Sequence, residues 1–119
     1  MSLGRWRPQQ IYLYQHPVDM RKGMDSLALL VKEEMDLNPL DSILFVFTNK
    51  SKDKVKLLVW ERNGFWTLYK KLLKQRFKWP RWFSSDKLLL PEEQLLQLLD
   101  GIDLNGLRPH QKLMIEHFA

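Results

Sequence analysis

The chain has 119 residues, 45% of them hydrophobic, and carries a formal charge of +5 from 19 Lys/Arg against 14 Asp/Glu. That length and composition describe one folded domain, residues 1–119, with a modest core, and exclude disordered and fibrous classes. There is no cysteine and no apolar run near the roughly 20 residues of a membrane span, so disulfide frameworks, thiol catalysis, thiolate metal sites and a spanning helix are excluded.

Residues Ile11–Tyr14 read as a short strand ended by His16-Pro17, because the residue before proline is pushed out of the helical region. The turn-like segment Val18-Asp19-Met20-Arg21-Lys22-Gly23 then leads into a helix over Met24–Met35. Its residues Met24, Leu27, Ala28, Val31 and Met35 follow helical spacing. Ile43–Thr48 is a continuous apolar run of strand length, as expected of a strand buried on both faces. A polar turn over Asn49–Lys54 follows, exposed by its charges.

From Lys54 the chain alternates, with Val55, Leu57 and Val59 on one face and Lys56, Leu58 and Trp60 on the other. Asn63-Gly64 marks a hairpin with a type I′ turn, and the chain returns through Phe65, Trp66, Leu68 and Tyr69. Trp60, Trp66 and Leu68 are expected in the core. Pro91 fits the first position of a helix whose apolar side is Leu95, Leu96, Leu98 and Leu99, and Asp100-Gly101 ends it. A last helix is expected from about Pro109 to Phe118. The fold expected is α+β: an antiparallel meander of three or four strands packed against the N-terminal amphipathic helix and the C-terminal helices.

The charge excess is local. Residues 1–61 carry nine basic against eight acidic side chains, and residues 62–119 carry ten against six. From Arg62 to Ser85 there are seven basic residues and no acidic one, and four of the five tryptophans fall between Trp60 and Trp82. Lys70, Lys71, Lys74, Arg76, Lys78 and Arg81 provide charge that neutralises phosphates. Trp79 and Trp82 among them suit stacking on bases. A solvated basic face is the competing reading.

Catalytic signals are sparse. His110 and His117 stand seven apart, too far to share a metal without a further ligand, and His16 reads as a turn residue. No metalloprotease helix, nucleophile elbow or phosphate-cradling loop occurs. Asp19 beside Arg21 is the most enzyme-like pair, and it reads better as a helix cap or local ion pair. No enzyme activity, metal or cofactor is expected.

Three blocks carry a family resemblance. They are Val18-Asp19-Met20-Arg21-Lys22-Gly23-Met24-Asp25-Ser26-Leu27; Leu44–Phe47 through Lys56–Trp66 to Phe77-Lys78-Trp79-Pro80; and Leu95–Asp103. Together they resemble the TnpB accessory proteins of the sixty-six family of bacterial insertion sequences, over residues 11–103, with 104–119 as an extension. Ser26 stands where a glycine is common, Val59 where an aromatic is common and Glu61 where an aspartate is common. Leu73-Lys74-Gln75-Arg76 replaces the usual Glu-Lys-Gly-Arg. The resemblance implies an accessory role in transposition beside a separate transposase, and it carries over no catalytic residue; the absence of cysteine fits a reducing cytoplasm, the location expected. Asp19, Arg21, Lys22, Gly23, Lys56, Trp60, Gly64 and Pro80 belong to the shared motif without an assigned role. The expected partners are DNA, contacted by Lys70, Lys71, Lys74, Arg76, Lys78, Trp79, Arg81 and Trp82, and also the transposase and a sister accessory protein. A protein-interaction adaptor that binds the transposase without touching DNA is the alternative.

Overall fold

Residues 8–105 are described in the computed structural model of the chain. The elements run β1 (Gln10–Tyr14), α1 (Met24–Glu34), β2 (Ile43–Thr48), β3 (Lys54–Glu61), β4 (Gly64–Lys71), β5 (Lys87–Leu89) and α2 (Glu92–Leu99). The predicted helix over Pro109–Phe118 lies outside the described residues.

The five strands form one sheet in the order β4-β3-β2-β1-β5. β2, β3 and β4 are the expected antiparallel meander. β1, however, pairs with β2 in parallel, so the sheet is mixed. The physical reason lies in the connection: the segment between the two strands contains α1, and a helical crossover returns the chain to the end where it started. β5, unforeseen in the sequence, closes the far side by pairing antiparallel to β1.

Both faces of the sheet are covered, which splits the core in two. On one face Leu27 and Val31 of α1 and its C-cap Met35 meet Ile43, Phe45, Phe47 and Leu58. On the other, Leu95 and Leu98 of α2 join Phe77 and Trp79 over Ile11, Leu13, Leu44, Val46, Val55, Leu57 and Val59. β2 lies at the centre and is buried at all six positions, as its unbroken apolar run requires. α1 starts over β3 and ends near β5, where Lys87 Nζ donates to the Met35 carbonyl at 2.8 Å.

Two local readings shift by a residue. The hairpin turns on Arg62-Asn63: Arg62 takes φ 58°, the Asn63 N–H donates to the Glu61 carbonyl at 2.6 Å, and Gly64 already pairs with Glu61. Gly64 is outside the left-handed region, and a Cβ there would meet nothing within 4 Å. Pro91 is the N-cap of α2 rather than its first helical residue. The helix end is as expected: Gly101, at φ 88°, donates to Leu98 O while Ile102 donates to Gln97 O. These are the paired bonds of a Schellman motif.

Candidate nucleic-acid interface

After β4 the chain must reach β5 on the opposite edge, and residues 72–86 make that crossing as a strap without helix or strand. The strap runs past one end of the sheet. Leu72 N donates to Asp53 O at 2.8 Å, Phe77 N to Lys52 O at 2.7 Å, and the Trp79 indole Nε1 to Tyr14 O at 3.1 Å. Gln15 N then donates to Asp86 O, and His16 Nε2 lies 2.8 Å from Asp86 Oδ1. The strap's partners in these bonds, Lys52, Asp53, Tyr14, Gln15 and His16, sit where β2 ends and β3 begins, or at the end of β1 that lies beside it.

The strap alternates. Phe77, Trp79 and Pro80 are buried, and Trp82 and Phe83 are half-buried against the same cluster. Lys74, Arg76, Lys78 and Arg81 are exposed. Apolar side chains therefore anchor the strap while the cations line its outer rim. This corrects the expected role of Trp79, which is only 5% exposed and has its indole N–H spent on Tyr14, so it cannot stack on a base. The core expectation fails in the opposite sense at Trp66 and Leu68, which are 52% and 37% exposed on edge strand β4. Trp60 is half-buried, packed edge-to-face on Phe65 at 5.1 Å.

The rim includes cations that the sequence reading assigned only to an exposed turn. Arg76 Nη1 donates to the Ser51 carbonyl at 2.6 Å, and Lys54 stands opposite Lys71 across the β3–β4 ladder. The loop between β2 and β3 thus brings Lys50 and Lys52 beside the strap. It is internally braced, with Asn49 Nδ2 on Asp53 Oδ1 at 2.7 Å, Lys54 N on Asn49 Oδ1 at 3.1 Å and Thr48 Oγ1 on Lys54 O at 2.9 Å. Lys70 does not join the rim; its ammonium donates to Leu99 O at the C-terminal end of α2.

The run that is acid-free in sequence is not acid-free in space. Asp53 lies in the same loop, its carboxyl held below the usual range chiefly by Asn49, with Lys54 and Lys71 adding to the effect. Asp103 lies close to Lys78 and Arg81. Its carboxyl is lowered first by the Asn105 backbone and side chain and then by those two cations. Asn105 also ties the strap down, accepting from Arg81 N at 2.8 Å and donating to Trp79 O at 3.3 Å.

The motif around Asp19 borders this rim in an open cleft lined by residues 17–21, Asn49, Lys50, Ser51 and Lys54. Arg21 grips Asp19 through Nη2 at 2.7 Å and Nε at 3.1 Å, while its backbone N–H takes the same carboxylate. Asp19 is consequently lowered to about 2, first by the Arg21 side chain and then by its backbone. The N-cap of α1 is Gly23, without a side-chain cap, so Asp19 is the local ion pair and not a helix cap. Lys56 supplies the frame: its ammonium donates to Met20 O at 2.8 Å and to Lys22 O at 3.0 Å, fixing the loop above β3. Among the described residues no three His, Asp or Glu side chains converge as a metal would require, and no helix is long and apolar enough to cross a membrane.

Residues 9–109 match the family model described as IS66 Orf2 like protein. The chain is 37% identical over 94 residues to uncharacterized protein y4hO of Sinorhizobium fredii (strain NBRC 101917 / NGR234), covering 79% of this chain and 81% of that one. It is 31% identical over 101 residues to uncharacterized protein y4jC of the same strain, covering 85% and 86%. No solved structure matches.

Proposed function

The chain belongs to the IS66 Orf2-like family, and from that premise we propose that it is a non-catalytic accessory protein of insertion-sequence transposition that holds DNA on its basic rim. The observation that carries the reading is the alternation of the strap. Phe77, Trp79 and Pro80 point in, Lys74, Arg76, Lys78 and Arg81 stay out, and the braced loop adds Lys50 and Lys52. Cations on a rigid frame neutralise phosphates at little ordering cost, and they carry no base-reading geometry of their own. With Trp79 buried, the reading rests on the backbone charge alone, and half-buried Trp82 is the aromatic left beside it.

The test is fluorescence anisotropy on duplexes carrying the element's terminal repeat or a scrambled control, titrated across salt. Binding is expected with a steep salt dependence. Replacing Lys50, Lys52, Lys74, Arg76, Lys78 and Arg81 with alanine should flatten the slope by about 0.9 for each phosphate no longer neutralised. An unchanged slope would reject the rim.

A second reading is the adaptor, in which the protein binds the transposase without DNA. The exposed Trp66, Leu68 and Tyr69 favour it, since exposed aromatic side chains are typical interface anchors. Co-purification with the transposase that survives nuclease treatment would support it.

A further inference from the structure

β4 is the outermost strand, eight residues long, and among the described residues no strand pairs with its outer side. The opposite edge, β5, is three residues long and followed by a proline, which blunts it. β4 has neither protection until Lys70 and Lys71 at its end. Six of its eight residues are exposed, among them Trp66, Leu68 and Tyr69. Trp66 is held outward rather than loose, its indole Nε1 donating to Glu61 Oε1 at 3.1 Å.

The hydrogen-bond parity of this edge can be read from its inner ladder. Leu72 N donates to Asp53 O one step beyond the Lys54–Lys71 pair. In an antiparallel ladder, bonded and non-bonded pairs alternate. Lys70, Leu68 and Trp66 therefore spend their backbone groups on β3. The N–H and C=O groups of Phe65, Thr67, Tyr69 and Lys71 point outward.

We propose that two copies of this chain join edge to edge through β4, antiparallel about a two-fold axis at Leu68. In that register Thr67 pairs with Tyr69 of the partner subunit and Phe65 with Lys71 of the partner subunit, so the outward groups meet each other. Lys70 lies across from the partner's Trp66, and Leu68 faces its own copy. Each lysine is thus set opposite an aromatic ring: Lys71 for a cation–π contact, and Lys70, whose ammonium stays on Leu99 O, for packing of its aliphatic stem. An axis at Thr67 would put Lys70 opposite the partner's Gly64, and one at Tyr69 would put it opposite the partner's Leu68; neither pairs both lysines with rings. Both positive residues of β4 lie in its last quarter, so an antiparallel copy separates them where a parallel one would stack them. The occupant that fits is this strand itself. A two-fold contact of this kind closes without generating a fibre.

The axis also turns the two basic rims to opposite ends of a continuous sheet. On the DNA reading above, and only on it, such a dimer holds two duplex segments rather than one.

Sedimentation of the full chain should show a mass rising with concentration from 14.4 kDa toward twice that value. Thr67→Pro removes an outward N–H and leaves the β3 ladder intact; it should weaken self-association by roughly tenfold or more without moving the unfolding midpoint measured where the parent chain is monomeric. Leu68→Glu and Leu68→Lys should each be monomeric, because like charges would meet at the axis. Their equimolar mixture should form a heterodimer, which keeps the test sharp if the proline variant folds poorly. A chain monomeric at every concentration, a Thr67→Pro variant that dimerises normally, or a mixture that stays monomeric would overturn the proposal. So would capture of this edge by the transposase in place of a second copy. Salt titration of the monomeric variants on DNA reads the rim separately: an unchanged slope per chain leaves the rim standing whatever becomes of the dimer.

Discussion

The strap and strand β4 are both aromatic and basic, adjacent in sequence, and opposite in what they do with their rings. Trp79, flanked by lysine and proline in a segment without regular structure, is buried at 5% exposure with its indole bonded to Tyr14. Trp66, in the middle of a regular strand, is 52% exposed. The sequence pattern suggests the reverse. In a sheet of this size, burial is decided by where a strand falls in the sheet order and by the route the connection takes. β4 is an edge that neither helix covers, while the strap has to cross from one edge to the other and fills the face it crosses.

The largest expected effect breaks this contrast directly. Trp79→Ala empties a filled core site and orphans a carbonyl, and should lower stability by about 3–5 kcal/mol. Trp66→Ala should stay within about 0.5 kcal/mol, as surface changes usually do. Urea denaturation of the two variants at a concentration where the chain is monomeric measures the difference, and equal losses would mean that Trp66 is packed within its own chain. Next in size is Lys56, the β3 lysine whose ammonium braces the loop before α1. Lys56→Met removes two charge-assisted bonds to the Met20 and Lys22 carbonyls and should cost about 1–3 kcal/mol. Hydrogen exchange should show faster amides at Arg21 and Lys22, while Trp79 and its neighbours stay protected.

What is legible in the sequence follows the same divide. Periodicity places α1, β2 and β3 almost to the residue, because each packs by a local rule: helical spacing, a two-faced apolar run and strict alternation. The parallel pairing of β1 is also implicit there, since a strand, a helix and a strand in succession form a crossover, whereas a count of strands alone does not reveal it. The hairpin turn is displaced by one residue from its sequence signal. Centring it on Asn63-Gly64 would pair Lys54 with Leu73 instead of Lys71, and the link between the strap and the loop lysines is lost with that register. Lys50 and Lys52 read as exposed charges. Nothing local says that a segment some 25 residues later returns to lie beside them. Burial of the strap is hidden because Phe77, Trp79 and Pro80 alternate with cations over a stretch that forms no strand, so the chain crosses a face without the ladder that normally marks alternation.

A smaller effect separates the rim from the edge. Lys70 and Lys78 are both exposed members of the same basic run, yet Lys70 donates to Leu99 O while Lys78 lies on the rim close to Asp103. Lys78→Ala should weaken DNA binding uniformly across sequences and reduce the salt slope by about 1. Lys70→Ala should leave the slope unchanged. Equal losses would mean that charge on this chain acts as a cloud and not from a defined rim.

The smallest effect concerns Arg21, which borders the rim but is committed to Asp19. The folded-state value of Asp19 is lowered from 3.8 to about 2 by the bonds from Arg21. A depressed carboxyl contributes stability that is fully present above its unfolded value and fades as pH falls through its folded one. The gain from the pair is therefore complete above about 4 and disappears between there and about 2. Because both groups are exposed, water screens the pair and the gain is small. Asp19→Asn should narrow the gap to the parent chain in unfolding midpoint as pH drops through that window, with no change in the gap between pH 5 and 8. The same substitution frees the guanidinium beside Lys50 and Lys54. Affinity for duplex at neutral pH should then rise slightly, with a slope steeper by at most about 1. A variant whose midpoint falls equally at every pH would place Asp19 in the fold's framework. The strap and its rim would then have one more fixed post than the hydrogen bonds of Lys56 supply.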